Sequence, residues 1–165
     1  LIGVKLTNGE QHILMGTRDG LAIYFPETDV RHMGRTARGV KGINLHKGDA
    51  VVGMDTLKKD GEVLTVSEEG YGKRTAVSEY RDQKRGGKGV INLKVTEKTG
   101  RVVGIKIVQP GQELMLISSD GIVIRIDIDE ISVISRNTQG VKLMRTGEKD
   151  KVVALAAVEK KTDTD

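Results

Sequence analysis

The residues of this chain whose types and spacing suggest a chemistry are its lysines and arginines. Between Tyr71 and Arg101, nine Lys or Arg residues stand against three acids, a net charge of +6, whereas the whole 165-residue chain carries +4. Glycines interrupt this basic stretch in the run Arg85-Gly86-Gly87-Lys88-Gly89. Lys and Arg neutralise phosphates, and glycine lets main-chain N–H groups approach phosphate oxygens. The pattern therefore favours nucleic acid as the partner over the alternative of an ordinary solvated face.

Other chemistries find no support in the sequence. The chain has no Cys, and its three histidines, His12, His32 and His46, form no metal-binding motif, so we expect surface histidines. The glycine-rich run lacks the frame of a P-loop, and the acidic run at 127–130 lacks the spacing of a calcium loop. We predict no catalytic residue, no metal site, no cofactor and no membrane span in this chain.

The basic residues belong to a repeat of about 50 residues. Glycines recur at Gly20, Gly70 and Gly121, and at Gly39, Gly89 and Gly140. Arginines recur at Arg35, Arg85 and Arg136, and acids at Asp29, Glu79 and Glu130, in steps of 50 and 51. Matching arginines should lie at matching places along a curved edge, which is what a bent polyanion needs. Arg35 belongs to a smaller basic cluster with Arg31, Arg38 and Lys41.

Each repeat has the pattern of short strands and turns. Residues 122–128 alternate Ile with mostly polar residues, and Asp-Gly at 19–20 and 120–121 separates apolar runs, which predicts hairpins. Further strands are expected at 21–25, 102–108 and 114–117, and no window has a helical stripe. Four strands per repeat is typical of a propeller blade, so we predict an all-β fold.

Three such blades do not close a ring, since closed propellers have about four to eight. The predicted blades are residues 1–56, 57–109 and 110–158, as an open arc or part of a larger disc. Residues 159–165 lose the period and are predicted to be a flexible tail. Because the chain opens on LIGVKL without Met, we expect a fragment of a longer protein.

The run Gln83 to Gly89, Q-K-R-G-G-K-G, resembles the gyrase A-box, the Q-[RK]-R-G-G-[KR]-G heptad of the C-terminal domain in the A subunit of DNA gyrase. EEGYGKRTAVSEYR, FPETDVRHMGRTARGVKGIN and ISVISRNTQGVKLMRT also resemble that domain, so the similarity covers essentially the whole chain. The heptad here lies in a later blade than the family's principal box, and RTARGVKG and RNTQGVK are weaker versions of it.

The resemblance implies the last three blades of a six-bladed β-pinwheel, in which neighbouring blades exchange a strand. It also implies a non-catalytic module that wraps duplex DNA around a basic rim, within a bacterial, cytoplasmic, nucleoid-associated enzyme that introduces negative supercoils. In that enzyme ATP and Mg²⁺ act in other domains, and two A subunits with their cleavage cores assemble with two B subunits. The DNA-binding residues predicted here are Gln83, Lys84, Arg85, Gly86, Gly87, Lys88, Gly89, Arg35, Arg38, Lys41, Lys73, Arg74, Arg81 and Arg136.

Two alternatives stay open at this point. One is the related domain of topoisomerase IV, which supports decatenation and has degraded boxes, and which the near-intact heptad disfavours. The other is a propeller-like protein-interaction scaffold, which needs an apolar or aromatic patch. Three Tyr, one Phe and no Trp make such a patch, and a base-stacking platform, poorly supported.

Overall fold

A computed structural model describes residues 1–57 and 60–160, and strands are its main regular elements. In the first repeat the strands are β1 (His12–Thr17), β2 (Leu21–Pro26) and β3 (Val51–Leu57). In the second they are β4 (Glu62–Ser67), β5 (Tyr71–Ala76), β6 (Val90–Ile91) and β7 (Val102–Val108). In the third they are β8 (Gln112–Ser118), β9 (Val123–Asp127), β10 (Val141–Lys142) and β11 (Val152–Glu159). The helices of the described ranges are single 3₁₀ turns, Glu27–Asp29, Val77–Glu79 and Ile128–Glu130.

The strands form three antiparallel sheets, ordered β3-β1-β2-β6, β10-β5-β4-β7 and β11-β8-β9. The turns at Gly20, Gly70 and Gly121 join β1 to β2, β4 to β5 and β8 to β9, which confirms the predicted hairpins. The predicted strand over 122–128 is observed as β9, which is one residue shorter at each end. It stops at Asp127 because Ile128 begins a 3₁₀ turn. The predicted all-β fold of propeller-like blades is confirmed.

Neighbouring sheets exchange strands. β6 belongs to the second repeat but pairs with β2 of the first sheet, where Ile91 faces Leu21. β10 belongs to the third repeat and pairs in the same way with β5 of the second sheet, where Lys142 faces Tyr71. In the second and third repeats, the long connection that follows the hairpin therefore crosses onto the preceding sheet.

The core lies between successive sheets. One cluster joins Leu14 and Tyr24 of the first sheet to Val63 and Ile105 of the second, and a larger one joins the second sheet to the third. The strands β3 and β7 of successive sheets approach each other closely: a Cβ on Gly53 would lie 2.9 Å from Cγ2 of Ile105. A fully buried Leu or Val stabilises the fold by about 1.5–3 kcal/mol. Because both clusters contain residues of two successive sheets, the three sheets pack as one unit.

The ends of the repeats differ in part from their predicted extent. The tail was expected from residue 159, but Glu159 ends β11 and its carboxylate accepts a hydrogen bond from Gln112 Nε2 at 2.7 Å, while Lys160 pairs with Asp127. Residues 161–165 of that tail lie outside the described residues. The third sheet has three strands rather than four over residues 110–160. The blade bounds stay predictions, although strand exchange places residues 90–91 and 141–142 in the preceding sheets.

Candidate nucleic-acid interface

The basic residues concentrate on the three long connections, here called the first loop (31–47), the second loop (81–98) and the third loop (132–149). The first loop has five basic residues and no acid, the second six against two, and the third four against one. All five in the first loop are exposed, and in the second loop all but the half-buried Arg85 are exposed. These exposed residues are Arg31, Arg35, Arg38, Lys41 and Lys47, and then Arg81, Lys84, Lys88, Lys94 and Lys98.

The second loop is hydrogen-bonded to the first repeat through the heptad. The Gln83 N–H donates to the Tyr24 carbonyl at 2.8 Å, and the Gly86 N–H donates to the Gly42 carbonyl at 2.6 Å. The Gly87 carbonyl in turn accepts from the Asn44 N–H at 2.8 Å. The structure therefore brings the two most basic loops side by side.

The Arg85 side chain is part of this junction. Its Nη1 donates to the Lys41 carbonyl at 2.6 Å, its Nε donates to the Asp29 carbonyl at 3.1 Å, and its main-chain N–H lies 3.3 Å from the Asp29 carboxylate. The planar, always charged guanidinium suits this fixed set of acceptors. Arg85 thus joins two loops in addition to any contact that it makes with DNA.

Arg136 repeats this arrangement one sheet further on. Its N–H donates to the Glu79 carboxylate at 3.0 Å, its Nη1 donates to the Ile91 carbonyl at 2.7 Å, and its guanidinium lies 6.0 Å from the centre of the Tyr80 ring. The recurring acids Asp29 and Glu79 are explained by these contacts, because each accepts the main-chain N–H of the next repeat's arginine. The Lys94 N–H also donates to the Thr138 carbonyl at 2.9 Å, so the third loop adjoins the second.

The glycines of the heptad have a structural role that the sequence did not separate from phosphate binding. The N–H groups of Gly86 and Gly87 already donate to protein carbonyls. At Gly89, φ is +78° and a Cβ would lie 2.7 Å from the Ala22 oxygen, and Gly140 has the same geometry against Gly72. At Gly89 and Gly140, only glycine fits such an approach without strain. At Gly86 and Gly87, the expected N–H contacts to phosphate are not available, because both N–H groups already donate to protein carbonyls.

Two predicted DNA-binding residues, Lys73 and Arg74, are buried instead. Lys73 is 0% exposed, and its Nζ donates to carbonyls of the third loop. Arg74 Nη1 donates to the Glu62 carboxylate at 2.6 Å, and its Nε donates to the Ile131 carbonyl at 2.8 Å. Both side chains lie on β5 under the third loop, so the prediction that they contact DNA is wrong.

The histidines also differ from one another. His32 and His46 are exposed, as predicted, but the His12 ring stacks on Tyr24 with 4.7 Å between centroids. His12 Nε2 lies 3.2 Å from the carboxylate of Asp82, next to the heptad. Burial, followed by the charges of Asp82 and Asp60, raises the pKa of Tyr24. No group of three metal-binding side chains occurs in the part of the chain that the structure describes.

Two further lysines, Lys98 and Lys142, lie against the ring of Tyr71 in cation–π contacts that the number of basic residues in the sequence does not predict. Lys142 Nζ lies 4.7 Å from the centre of the Tyr71 ring and donates to the Glu69 carbonyl at 2.8 Å, and Lys98 Nζ lies 5.4 Å from the same ring. Such cation–π contacts hold a lysine stem against a ring while the charge stays near solvent. Lys142 was not among the predicted site residues.

The chain matches a known family along most of its length. The model of the DNA gyrase C-terminal domain, beta-propeller, matches three times, at residues 11–58, 61–109 and 112–159. The chain belongs to this family. The resemblance found in the sequence is thereby confirmed.

Relatives of this gyrase C-terminal domain chain include the A subunits of two bacterial DNA gyrases. That of Staphylococcus aureus (strain MRSA252) is 46% identical over 165 residues, and that of Escherichia coli (strain K12) is 45% identical over 163 residues. Each alignment covers 99% of this chain and 19% of the relative. The chain therefore spans about a fifth of the length of these relatives.

Solved structures share the fold of this gyrase C-terminal domain chain. The C-terminal domain of DNA topoisomerase IV matches with a TM-score of 0.89 and 26% identity, over 95% of this chain and 49% of that one. The DNA gyrase A C-terminal domain matches with a TM-score of 0.84 and 28% identity, over 93% of this chain and 52% of that one. In residues 1–57 and 60–160, no helix has the length and apolar character to cross a membrane.

Proposed function

We propose that this chain is a non-catalytic module that bends duplex DNA along its three loops. The observation that carries the proposal is that loops from successive repeats, each with an excess of basic residues, are hydrogen-bonded to one another. The first and second loops meet at Gly42 and Gly86, and the second and third meet at Lys94 and Thr138. Exposed cations on adjoining loops present a continuous row of charge to a phosphate backbone.

Duplex DNA fits this surface better than single-stranded nucleic acid. Single-strand binding relies on aromatic rings that stack on bases. Tyr24, Phe25 and Tyr80 are buried, and Tyr71 is half-buried beside Lys98 and Lys142. Lys and Arg contacts to phosphate carry no direct sequence information, so the predicted recognition is by charge and shape.

The family suggests a place for this module in a larger enzyme. We propose that it orients the wrapped DNA segment for negative supercoiling by a gyrase with two A and two B subunits, in the bacterial cytoplasm at the nucleoid. Cleavage, ATP and Mg²⁺ are assigned in this proposal to other domains, and this chain is assigned no cofactor.

A second candidate is the corresponding role in topoisomerase IV, since the C-terminal domain of that enzyme shares the fold with a TM-score of 0.89. The Q-K-R-G-G-K-G heptad favours gyrase, because the topoisomerase IV boxes are degraded. The two roles differ in outcome: fusing the chain to a gyrase core that lacks its own C-terminal domain should restore supercoiling in the first case and not in the second.

The test of DNA binding uses the salt dependence of affinity. Lys84→Ala with Lys88→Ala removes two exposed cations of the heptad, and should lower the log–log salt slope by about 1.8 if each contacts one phosphate. The matched control is Arg125→Ala with Lys160→Ala, which removes the same charge from residues paired with Glu113 and Asp127 outside the three loops. The control should leave the slope unchanged.

Equal loss from both double variants would contradict the proposed surface, because it would mean that net charge alone governs binding. Failure of the unaltered chain to bind a duplex of about 30 base pairs at low salt would contradict the proposed function itself.

A further inference from the structure

The third loop is held to β5 by three consecutive buried side chains. Lys73 Nζ donates to the Ser135 carbonyl at 2.6 Å, to the Arg136 carbonyl, and to Thr138 Oγ1 at 3.1 Å. Thr75 Oγ1 donates to the Ile134 carbonyl at 2.8 Å, and Arg74 Nε donates to the Ile131 carbonyl. Side chains of one strand therefore bind four carbonyls between residues 131 and 136.

The same positions in the other two repeats lack this arrangement. Ile23 of β2 and Ile124 of β9 occupy the place of Lys73, and both are apolar. Between the first and second sheets, the heptad with its two extra glycines lets the main chain bind directly to the first repeat. The third loop has Asn137 and Thr138 where the heptad has Gly86 and Gly87. Its main chain also bonds to β5, since the Ile134 N–H donates to the Arg74 carbonyl at 2.9 Å, and the side chains of β5 add further contacts to this bond.

A buried ammonium is costly unless every N–H finds an acceptor. The three acceptors of Lys73 meet that requirement, and two of them are the carbonyls on either side of the Arg136 nitrogen. The ammonium therefore fixes the main chain at the third member of the recurring arginine set.

We propose that Lys73 is a positioning residue that sets the third loop against the second sheet, so that the DNA path continues from the second loop onto the third. This inference rests on the proposed function, because a path for DNA is assumed. Lys73 itself makes no contact with DNA in this proposal.

The protonation of Lys73 provides a signature of the contact. Burial lowers its pKa to about 8, while the charge of Glu79 raises it and the charge of Arg136 lowers it. If the loop opens, the amine meets water and its pKa returns toward 10.5. The closed loop then binds fewer protons than the open loop between about pH 8 and 10.5, so raising the pH across this range favours closure.

The main test replaces Lys73 by methionine, which keeps a long side chain and removes the three donated bonds. Ile23→Met is the matched control, because it alters the equivalent buried position at the first junction without removing a charge. Energy transfer between dyes at the two ends of a duplex of about 30 base pairs reports bending. We expect Lys73→Met to reduce the bend and to lower the salt slope by about 0.9 for each phosphate that the third loop no longer binds, whereas Ile23→Met changes neither.

A second measurement covers the case in which Lys73→Met does not fold. Amide exchange at Ile134 and Thr138, whose N–H groups donate to the carbonyls of Arg74 and Arg136, reports opening of the third loop. In the unaltered chain the opening constant should fall by up to about tenfold per pH unit above pH 8. Thr138→Val, which removes one acceptor of the ammonium, should raise the opening constant and reduce the bend.

The outcomes separate the inference from the function on which it rests. An unaltered bend in Lys73→Met, or in Thr138→Val if the former is unfolded, overturns the inference while DNA binding stands. An opening constant that does not change between pH 8 and 10 also overturns it, because Lys73 Nζ would then not pass from a buried to a solvated position when the third loop opens. Absence of DNA binding by the unaltered chain instead overturns the proposed function.

Discussion

Replacing Arg85 by alanine should lower the free energy of unfolding, while it should reduce phosphate binding less than the loss of an exposed lysine does. The change removes the two hydrogen bonds from the guanidinium to the carbonyls of Asp29 and Lys41, and leaves the main-chain N–H in place. Hydrogen bonds from charged groups contribute about 1.5–3 kcal/mol each when buried. Since Arg85 is only half-buried, we expect a loss of about 2 kcal/mol in the free energy of unfolding.

The assay combines thermal unfolding with the salt slope of duplex binding. A loss of about 2 kcal/mol lowers Tm by about 4–8 °C in a chain of this size. Lys84→Ala is the control, because it removes an adjacent exposed charge: its unfolding free energy should stay within about 0.5 kcal/mol of the unaltered chain, while its salt slope falls by about 0.9. The slope of Arg85→Ala, measured well below its Tm, should fall by less than that of Lys84→Ala.

The opposite pattern would refute this reasoning. If Arg85→Ala unfolds at the same temperature as the unaltered chain and its salt slope falls as much as that of Lys84→Ala, Arg85 acts mainly on phosphate. The junction between the loops would then depend on the main-chain bonds at Gly42, Asn44 and Gly86 alone.

Three further results are expected. Gly140→Ala should cost about 2 kcal/mol or more in urea unfolding, because φ is +77° and the new Cβ would lie 2.6 Å from the Gly72 oxygen, whereas Gly111→Ala, with a similar φ and open space, should cost about 1 kcal/mol. The Ser118 hydroxyl, followed by the Ser119 hydroxyl and the Asp120 N–H, lowers the pKa of Asp150. The ionised Asp150 therefore stabilises the fold above the unfolded pKa near 4, and this stabilisation is lost as the pH falls through the lowered value. Asp150→Asn should accordingly flatten the acid limb of a stability–pH curve. Competition between unrelated duplexes of equal length should show less than about a hundredfold preference, and a larger one would indicate base readout.

The sequence was sufficient for the features that depend on the repeat. Phase alone located the hairpin turns at Gly20, Gly70 and Gly121, and the alternation of apolar residues located β9 to within one residue at each end. A period shared by glycines, arginines and acids also placed the three loops at equivalent positions. These features are local, since each depends on residues close together in the chain.

The failures all concern contacts between repeats. Lys73 and Arg74 stand in a segment, Y-G-K-R-T-A, that has the composition of an exposed strand, and they are buried only because a loop some 60 residues later covers them. His12 is half-buried, because its ring stacks on Tyr24 and its Nε2 lies beside Asp82 of the next repeat. Charge patterning assigns such residues to solvent, because it contains no information about which segment will lie on top of them.

The basic side chains divide into two groups by what they contact. Arg85 and Arg136 on the loops, with Lys73 and Arg74 beneath the third, donate to protein carbonyls across sheet junctions, whereas the lysines of the first and second loops are exposed. Bending a duplex of 20–30 base pairs by 40–90° costs about 1–6 kcal/mol, and the bent DNA exerts an equal restoring force on the protein loops that bind it. A row of cations on loose loops would follow a straight duplex rather than bend it. Under the proposed function, we therefore expect the cations that join the sheets to determine the curvature and those that face solvent to determine the affinity, so loss of a junction bond should reduce bending at a salt concentration where binding persists.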